Sequence, residues 1–154
     1  MDNNGADYSI SLMLSEHLDE YAELYAGAFS ASPWNEPWTA ASASKRIGAM
    51  MSAPTFIGLS LCSEDELKGF IFGQIEFTHS GAEFQIQEFC VASASRRKGY
   101  GAALLAALRE KLASEGVTGG IYLITSHGDS TEGWYSRHGF RTMEDFIVMN
   151  DTRE

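Results

Sequence analysis

No apolar run in this chain comes near the roughly 18 residues needed to cross a bilayer as a helix. The N-terminal stretch also lacks the basic-then-apolar order of a secretory leader. Neither a membrane span nor a signal peptide is expected, and the cytoplasm is the expected compartment. Basic residues are scarce: 11 Lys and Arg stand against 21 Asp and Glu, a net charge of -10. That balance argues against a nucleic-acid partner, which demands a basic face. It suits a cationic substrate, while scattered acids such as Asp19, Glu20 and Glu23 read as solubilising surface. Cysteine is limited to Cys62 and Cys90, which have no metal-ligand spacing and fall in apolar, strand-like runs. They read as buried free thiols, and no metal is expected. Repeats, linkers and low-complexity tracts are missing too. With 44% hydrophobic and 21% charged residues, the 154 residues read as one domain, 1–154, long enough to bury a core.

What the chain does have is one local concentration of positive charge. Arg96, Arg97 and Lys98 stand side by side, directly before Gly99-Tyr100-Gly101. Ile86 to Val91 reads as a strand, the residues up to Gly101 as a loop, and Ala102-Ala103-Leu104-Leu105 as the opening of a helix that carries on through Leu112. A strand feeding a glycine-bearing loop and then a helix gathers backbone N–H groups and the positive helix end at one point. Such a point is built for an anion, phosphate above all. A Walker loop would need a Gly-Lys-Ser or Gly-Lys-Thr ending, whereas Lys98 precedes the glycine. A dinucleotide fingerprint would need a third glycine where Leu104 stands. Neither pattern fits.

What remains, Arg-x-x-Gly-x-Gly over Arg96 to Gly101, resembles the acyl-CoA pyrophosphate loop of the GNAT N-acetyltransferase superfamily. Downstream, Ile121 to Thr125 reads as another buried strand. After a short polar loop comes Trp134-Tyr135-Ser136-Arg137-His138-Gly139-Phe140. This resembles the Tyr-x-x-x-Gly-Phe helix of the same superfamily, in the same order and at the same spacing, where the tyrosine lies near the CoA sulfur. The resemblance covers nearly all 154 residues. One departure is Gly128, seven residues before Tyr135, where family members often carry an asparagine. The contact it makes to the CoA arm would be missing, or made by Asp129 or Ser130.

Taken in order, Tyr8 to Leu12 alternates weakly and reads as a first strand. Leu18, Tyr21, Ala22, Tyr25, Ala28 and Phe29 recur at helical spacing. Ser32-Pro33-Trp34-Asn35-Glu36-Pro37-Trp38 cannot continue that helix, because both prolines lack an N–H and disfavour helical conformation before them. Thr39 is the expected N-cap of a second helix carrying Ala43, Ile47, Met50 and Met51 and stopping before Pro54. Thr55 to Cys62, Leu67 to Thr78 and Ala82 to Val91 read as three strands of an antiparallel meander, joined by short polar turns. The helix after Gly99 ends near Gly116, so the strand after it should run parallel to its predecessor. Asp129 with Glu132 resembles a capping pair for the helix of Tyr135. A final strand is expected from about Arg141 to Met149.

In the strand before the loop, Phe84 and Ile86 share one parity and Phe89 and Val91 the other. A one-residue slip at Gln87 and Glu88 restores a single apolar face, which is what a β-bulge does. The family's strand is bulged here beside the thioester. The alternative is a strand buried on both faces that alternates loosely.

Acetyl transfer to an amine needs the amine neutral, a donor for the developing oxyanion and a proton for the leaving thiolate. With a pKa near 10.4, only about one alkyl amine in a thousand is neutral at pH 7. A nearby carboxylate can gather the cation and take its proton. Glu88, beside the bulge, is the expected base, with Glu76 and Glu83 as alternatives. Tyr135 matches the family's general acid, a phenol that donates to a thiolate without being ionised itself. The resemblance implies that the backbone of Phe89, Cys90 and Val91 pairs with the pantetheine arm. It also implies that the N–H groups of Arg97, Lys98, Gly99, Tyr100, Gly101 and Ala102 cradle the pyrophosphate, with Arg96, Arg97 and Lys98 adding charge. Trp34, Glu36 and Trp38 form either a substrate wall suited to an amine or lids folded onto the core.

The expected fold is α+β: a GNAT-like, mixed, mostly antiparallel sheet of six or seven strands, flanked by about four helices and splayed at the acyl-CoA site. The expected function is direct transfer of an acetyl group from acetyl-CoA, in a ternary complex, to a primary amine of a small polycationic molecule. An aminoglycoside is favoured, which would make antibiotic resistance a consequence. A protein N-terminal or lysine acetyltransferase shares every motif, and a CoA-binding sensor module that lost chemistry shares most of them. The residues set no oligomeric state and leave a homodimer open.

Overall fold

The computed structural model describes residues 7–153. They pack as two compact units, one up to Ile124 and the other from Thr125 on. In the first, β1 (Ser9–Leu12) leads through a single 3-10 turn into α1 (Leu18–Ser30) and then α2 (Ala40–Met51). The strands β2 (Phe56–Ser63), β3 (Glu66–Thr78) and β4 (Gly81–Val91) follow, then α3 (Tyr100–Ser114) and β5 (Ile121–Leu123). The sheet order is β1-β2-β3-β4-β5. The first four strands are antiparallel neighbours, and β5 joins β4 in parallel after the crossover through α3. The second unit holds α4 (Ser130–Arg137).

Local chemistry sets the helix ends. Thr39 Oγ1 accepts from the Ser42 N–H at 3.0 Å while Ser42 Oγ accepts from the Thr39 N–H at 3.0 Å, a reciprocal capping box that starts α2. At the end of α3, the Val117 N–H donates to the Leu112 carbonyl at 2.9 Å and the Gly116 N–H to Ala113 at 3.1 Å, a Schellman stop. Asp129 Oδ1 caps α4, accepting from Thr131 N–H at 3.0 Å and Glu132 N–H at 3.1 Å. The Glu132 carboxylate accepts from the N–H of Gly128 rather than that of Asp129, so the pairing is displaced by one residue from a capping box.

The sheet has an apolar layer on each face. Tyr21, Ala22, Tyr25 and Ala28 of α1 and Ala43 and Ile47 of α2 pack with Phe70, Phe72 and Cys90 on one face. The other face carries Ile71 and Ile75 with Phe84, Ile86 and Phe89, by strand register. Leu104 of α3 lies against this face at Gly69, and with Leu105, Leu108 and Leu112 it is almost fully buried. Each such fully buried side chain contributes roughly 1.5–3 kcal/mol relative to exposure.

The alternation break in β4 is a bulge. Phe72 pairs with Glu88 and Gly73 with Ile86, which leaves Gln87 as the extra residue. Phe84, Ile86, Phe89 and Val91 thereby share one face, while Glu88 and Cys90 turn toward α1 and α2. Gly73 opposite the bulge admits no side chain, since a Cβ there would lie 1.8 Å from the Gln85 carbonyl oxygen.

Two expectations need correction. The described sheet has five strands, not six or seven, and Arg141 to Met149 contains no strand. Phe146, Ile147, Val148 and Met149 are 69, 80, 72 and 84% exposed. A strand needs a partner edge for its N–H and C=O groups. Four consecutive apolar residues raise β propensity without supplying that edge.

Candidate active site

The loop between β4 and α3 is shaped by backbone conformation. Arg97 takes φ +68 and Gly99 φ +80, two left-handed residues within three positions. A non-glycine residue held there is uncommon and marks a conformation imposed by its surroundings. The first intrahelical bond of α3 is Ala103 N–H to Gly99 O at 3.0 Å, so the N–H groups of Tyr100, Gly101 and Ala102 precede the ladder. Successive N–H groups around alternating left-handed residues at a helix N-terminus form an anion cradle. Arg96, Arg97 and Lys98 are exposed around it. The Tyr100 side chain is 9% exposed and meets Tyr8 edge-on at 5.8 Å, which leaves its N–H as the part that can serve the cradle. These donors fit a pyrophosphate.

β4 leads into this loop with one edge opened. Phe84, Gln85 and Ile86 pair with Ile121, Tyr122 and Leu123, and beyond Ile86 the sheet shows no strand on that side among the described residues. The divergence starts at the bulge, and the stretch Phe89, Cys90 and Val91 lies within it. An extended ligand arm could add there as a strand does. Cys90 is buried on the other face, and burial pushes its thiol pKa well up, so it stays protonated and apolar in character.

Glu88 sits just past the bulge, 9% exposed. Arg46 Nε donates to its Oε1 at 2.7 Å, and the Tyr25 hydroxyl donates to the same oxygen at 3.0 Å. Burial raises the carboxyl above its ordinary range, and Arg46 and Tyr25 pull it part of the way back. The segment between α1 and α2 closes over this group. Trp38 packs edge-on to Tyr25 at 5.1 Å, its Nε1 donates to Glu36 at 3.2 Å, and the Arg46 guanidinium lies 6.0 Å from its ring. Trp34 meets Phe29 at 5.0 Å and carries the Arg96 guanidinium over its ring at 5.0 Å. Trp34 thus adjoins the phosphate loop, Trp38 adjoins the two partners of Glu88 and holds Glu36, and Trp38 is at the same time a lid on the core.

The alternative acids are placed differently. Glu76 and Glu83 face each other across β3 and β4, and the Tyr122 hydroxyl donates to both oxygens of Glu76 at 2.8 Å. Burial and Glu76 push the Tyr122 phenol up to about 12, so it remains a donor and Glu76 remains occupied. Tyr135 belongs to the second unit. It lies edge-on to Phe140 at 5.3 Å and to Trp134 at 5.3 Å, while the His138 ring stacks on Trp134 at 3.8 Å. Asp129, one of the residues expected to replace the absent asparagine, is engaged with Ser126 at 2.6 Å and with the cap of α4.

Arg46 and Tyr25 were not singled out in the sequence as site residues. A signal existed for both. Arg46 falls on the apolar stripe of α2, three residues after Ala43 and four before Met50, and Tyr25 on that of α1 carries a hydroxyl that burial obliges to find a partner.

Comparison with known proteins accords with this arrangement. The model of the acetyltransferase (GNAT) family matches residues 16–140, and the chain belongs to that family. No curated protein matches the chain by sequence. Among solved structures, a possible acetyltransferase from Clostridium difficile 630 superposes with a TM-score of 0.81 at 14% identity, over 97% of this chain and 100% of that one. The aminoglycoside acetyltransferase AAC(6')-Iy, solved with a bisubstrate analogue of CoA and acetylneamine, gives 0.73 at 16% identity, over 96% and 99%. An aminoglycoside acetyltransferase from an uncultured soil metagenomic sample gives 0.71 at 19% identity, over 97% and 99%. At these identities the likeness is one of fold.

Proposed function

We propose that the chain, acting as a single domain over residues 1–154, transfers the acetyl group of acetyl-CoA to a primary amine of a small polycationic molecule. The observation that carries this reading is the bulged β4, which presents Glu88 at its bend and opens onto the anion cradle at its end. When bound, acetyl-CoA supplies the thioester. Backbone N–H groups from Arg97 to Ala102 hold its pyrophosphate, and the open edge of Phe89, Cys90 and Val91 takes the pantetheine arm. Glu88 accepts the ammonium proton directly or through one water. The amine nitrogen then forms its bond to the thioester carbon as the carbon–sulfur bond breaks. Tyr135 gives its hydroxyl proton to the departing thiolate, and the second proton that the nitrogen sheds on becoming an amide restores the phenol through water.

Trp34, Glu36 and Trp38 serve as the acceptor wall, an aromatic face beside a carboxylate. An aminoglycoside is the acceptor favoured, supported by the acidic balance of the chain and by the nature of two structural neighbours. Aminoglycoside tolerance in a cytoplasmic setting would follow, and a homodimer is compatible with the reaction.

The test is release of free thiol from acetyl-CoA against aminoglycosides, polyamines, amino acids and short peptides, with Glu88→Gln and Tyr135→Phe alongside. Turnover on aminoglycosides, reduced about a hundredfold or more by either substitution, is the expected result. Turnover confined to peptides would move the reading to a protein acetyltransferase. Binding of acetyl-CoA without turnover on any amine would make the chain a sensor module.

A further inference from the structure

Two helices reach the same oxygen of the same carboxylate. Arg46 of α2 and Tyr25 of α1 both donate to Oε1 of Glu88, at 2.7 and 3.0 Å. No hydrogen bond among the described residues reaches Oε2, yet no buried side-chain nitrogen or oxygen among them lacks a partner. Oε2 is therefore the oxygen in touch with solvent, on a side chain that is only 10% exposed. A carboxylate held this way has one fixed oxygen and one working oxygen. Arg46, with a side chain 40% exposed, reaches from the surface of α2 to the buried group. The other charged or titratable groups facing Glu88 are Glu36 from the connecting loop and Cys90 from its own strand, and neither donates to it.

We propose that Arg46 is a positioning residue for Glu88, fastening Oε1 so that Oε2 is the oxygen presented to the acceptor amine. The guanidinium suits this task, because its rigid plane fixes the direction of the Nε–H bond to Oε1 as well as supplying charge. Its charge also offsets part of the desolvation that raises the Glu88 carboxyl, and a protonated carboxyl accepts no proton from an amine. This role rests on Glu88 being the base.

The test separates the two claims by reading Glu88 itself. In protein carrying isotope-labelled glutamate carboxyl carbons, the Glu88 resonance, assigned by its absence in Glu88→Gln, is titrated by NMR without ligand. In Arg46→Gln its midpoint rises by about one pH unit or more. In Arg46→Lys the charge is restored and the midpoint returns most of the way. Tyr25→Phe, which removes a donor without removing charge, moves it less than Arg46→Gln does. With an aminoglycoside, sisomicin, as acceptor, Arg46→Gln lowers kcat about tenfold while the acceptor KM changes less than about threefold, the mark of lost positioning rather than lost binding. Arg46→Lys recovers most of the pH profile but only part of kcat, since a flexible ammonium fixes no bond direction. An unmoved Glu88 midpoint in folded Arg46→Gln overturns the role of Arg46 even where Glu88→Gln is inactive. Full activity in Glu88→Gln removes the base, and the positioning role goes with it.

Discussion

Glu88 is under opposed influences, and their balance has a sign that stability can report. Burial raises its pKa more than Arg46 and Tyr25 lower it, so the value in the fold lies above that in the unfolded chain. A raised value means the fold binds the proton more tightly. The associated stability is fully present below the ordinary carboxylate range and is lost as pH rises through the folded value. Melting temperatures of wild type and Glu88→Gln taken across that range should diverge, the wild type losing ground as pH rises. Parallel curves would contradict the balance described. The place of Glu88 beside the bulge and of Trp34 and Trp38 in the segment between α1 and α2 was legible in the sequence, from the parity break and from the two prolines. Arg46 stands out locally only by falling on the apolar stripe of α2, and no local pattern names the partner 42 positions away that gives it meaning.

At the level of elements, the bulge governs the site. It depends on Gly73, because the Gln85 carbonyl occupies the space a side chain would need. Gly73→Ala should therefore cost about 3 kcal/mol or more, or drive the register of β3 and β4 into a regular pairing. A chemical-denaturation series measures the loss, and a variant as stable and active as the parent would show that the bulge is not required. The parity break between Ile86 and Phe89 disclosed the bulge from sequence alone, since period-2 alternation cannot cross an inserted residue otherwise. The same reasoning failed from Arg141 to Met149. Phe146 to Met149 has the composition of a buried strand, but pairing is a property of two segments, and composition describes one. The helices were read well because Thr39, Gly99 and Gly116 punctuate them by local chemistry.

For the whole molecule, charge organises function. The chain carries a net charge of -10 and a loop in which three cations stand together, so under the proposed function an anionic donor would be drawn to that loop and a cationic acceptor to the acidic remainder. Screening should separate the two. As ionic strength rises from about 0.01 M to about 1 M, the screening length falls from about 30 Å to about 3 Å. The KM for a polycationic acceptor should climb severalfold over that range while kcat changes little. An acceptor KM insensitive to salt would place recognition in apolar contacts instead.

Under the proposed function, the acetyl group of acetyl-CoA ends on the nitrogen of an amine. Incubation with acetyl-CoA carrying a labelled acetyl group, in the presence of an aminoglycoside and a polyamine, followed by mass spectrometry of both, tests it directly. Label in an amide on a primary amine is expected, in amounts equal to the thiol released. Thiol released without label on either amine would mean that water takes the acetyl group, and the assignment of Glu88 and its surroundings to an amine acceptor would be contradicted.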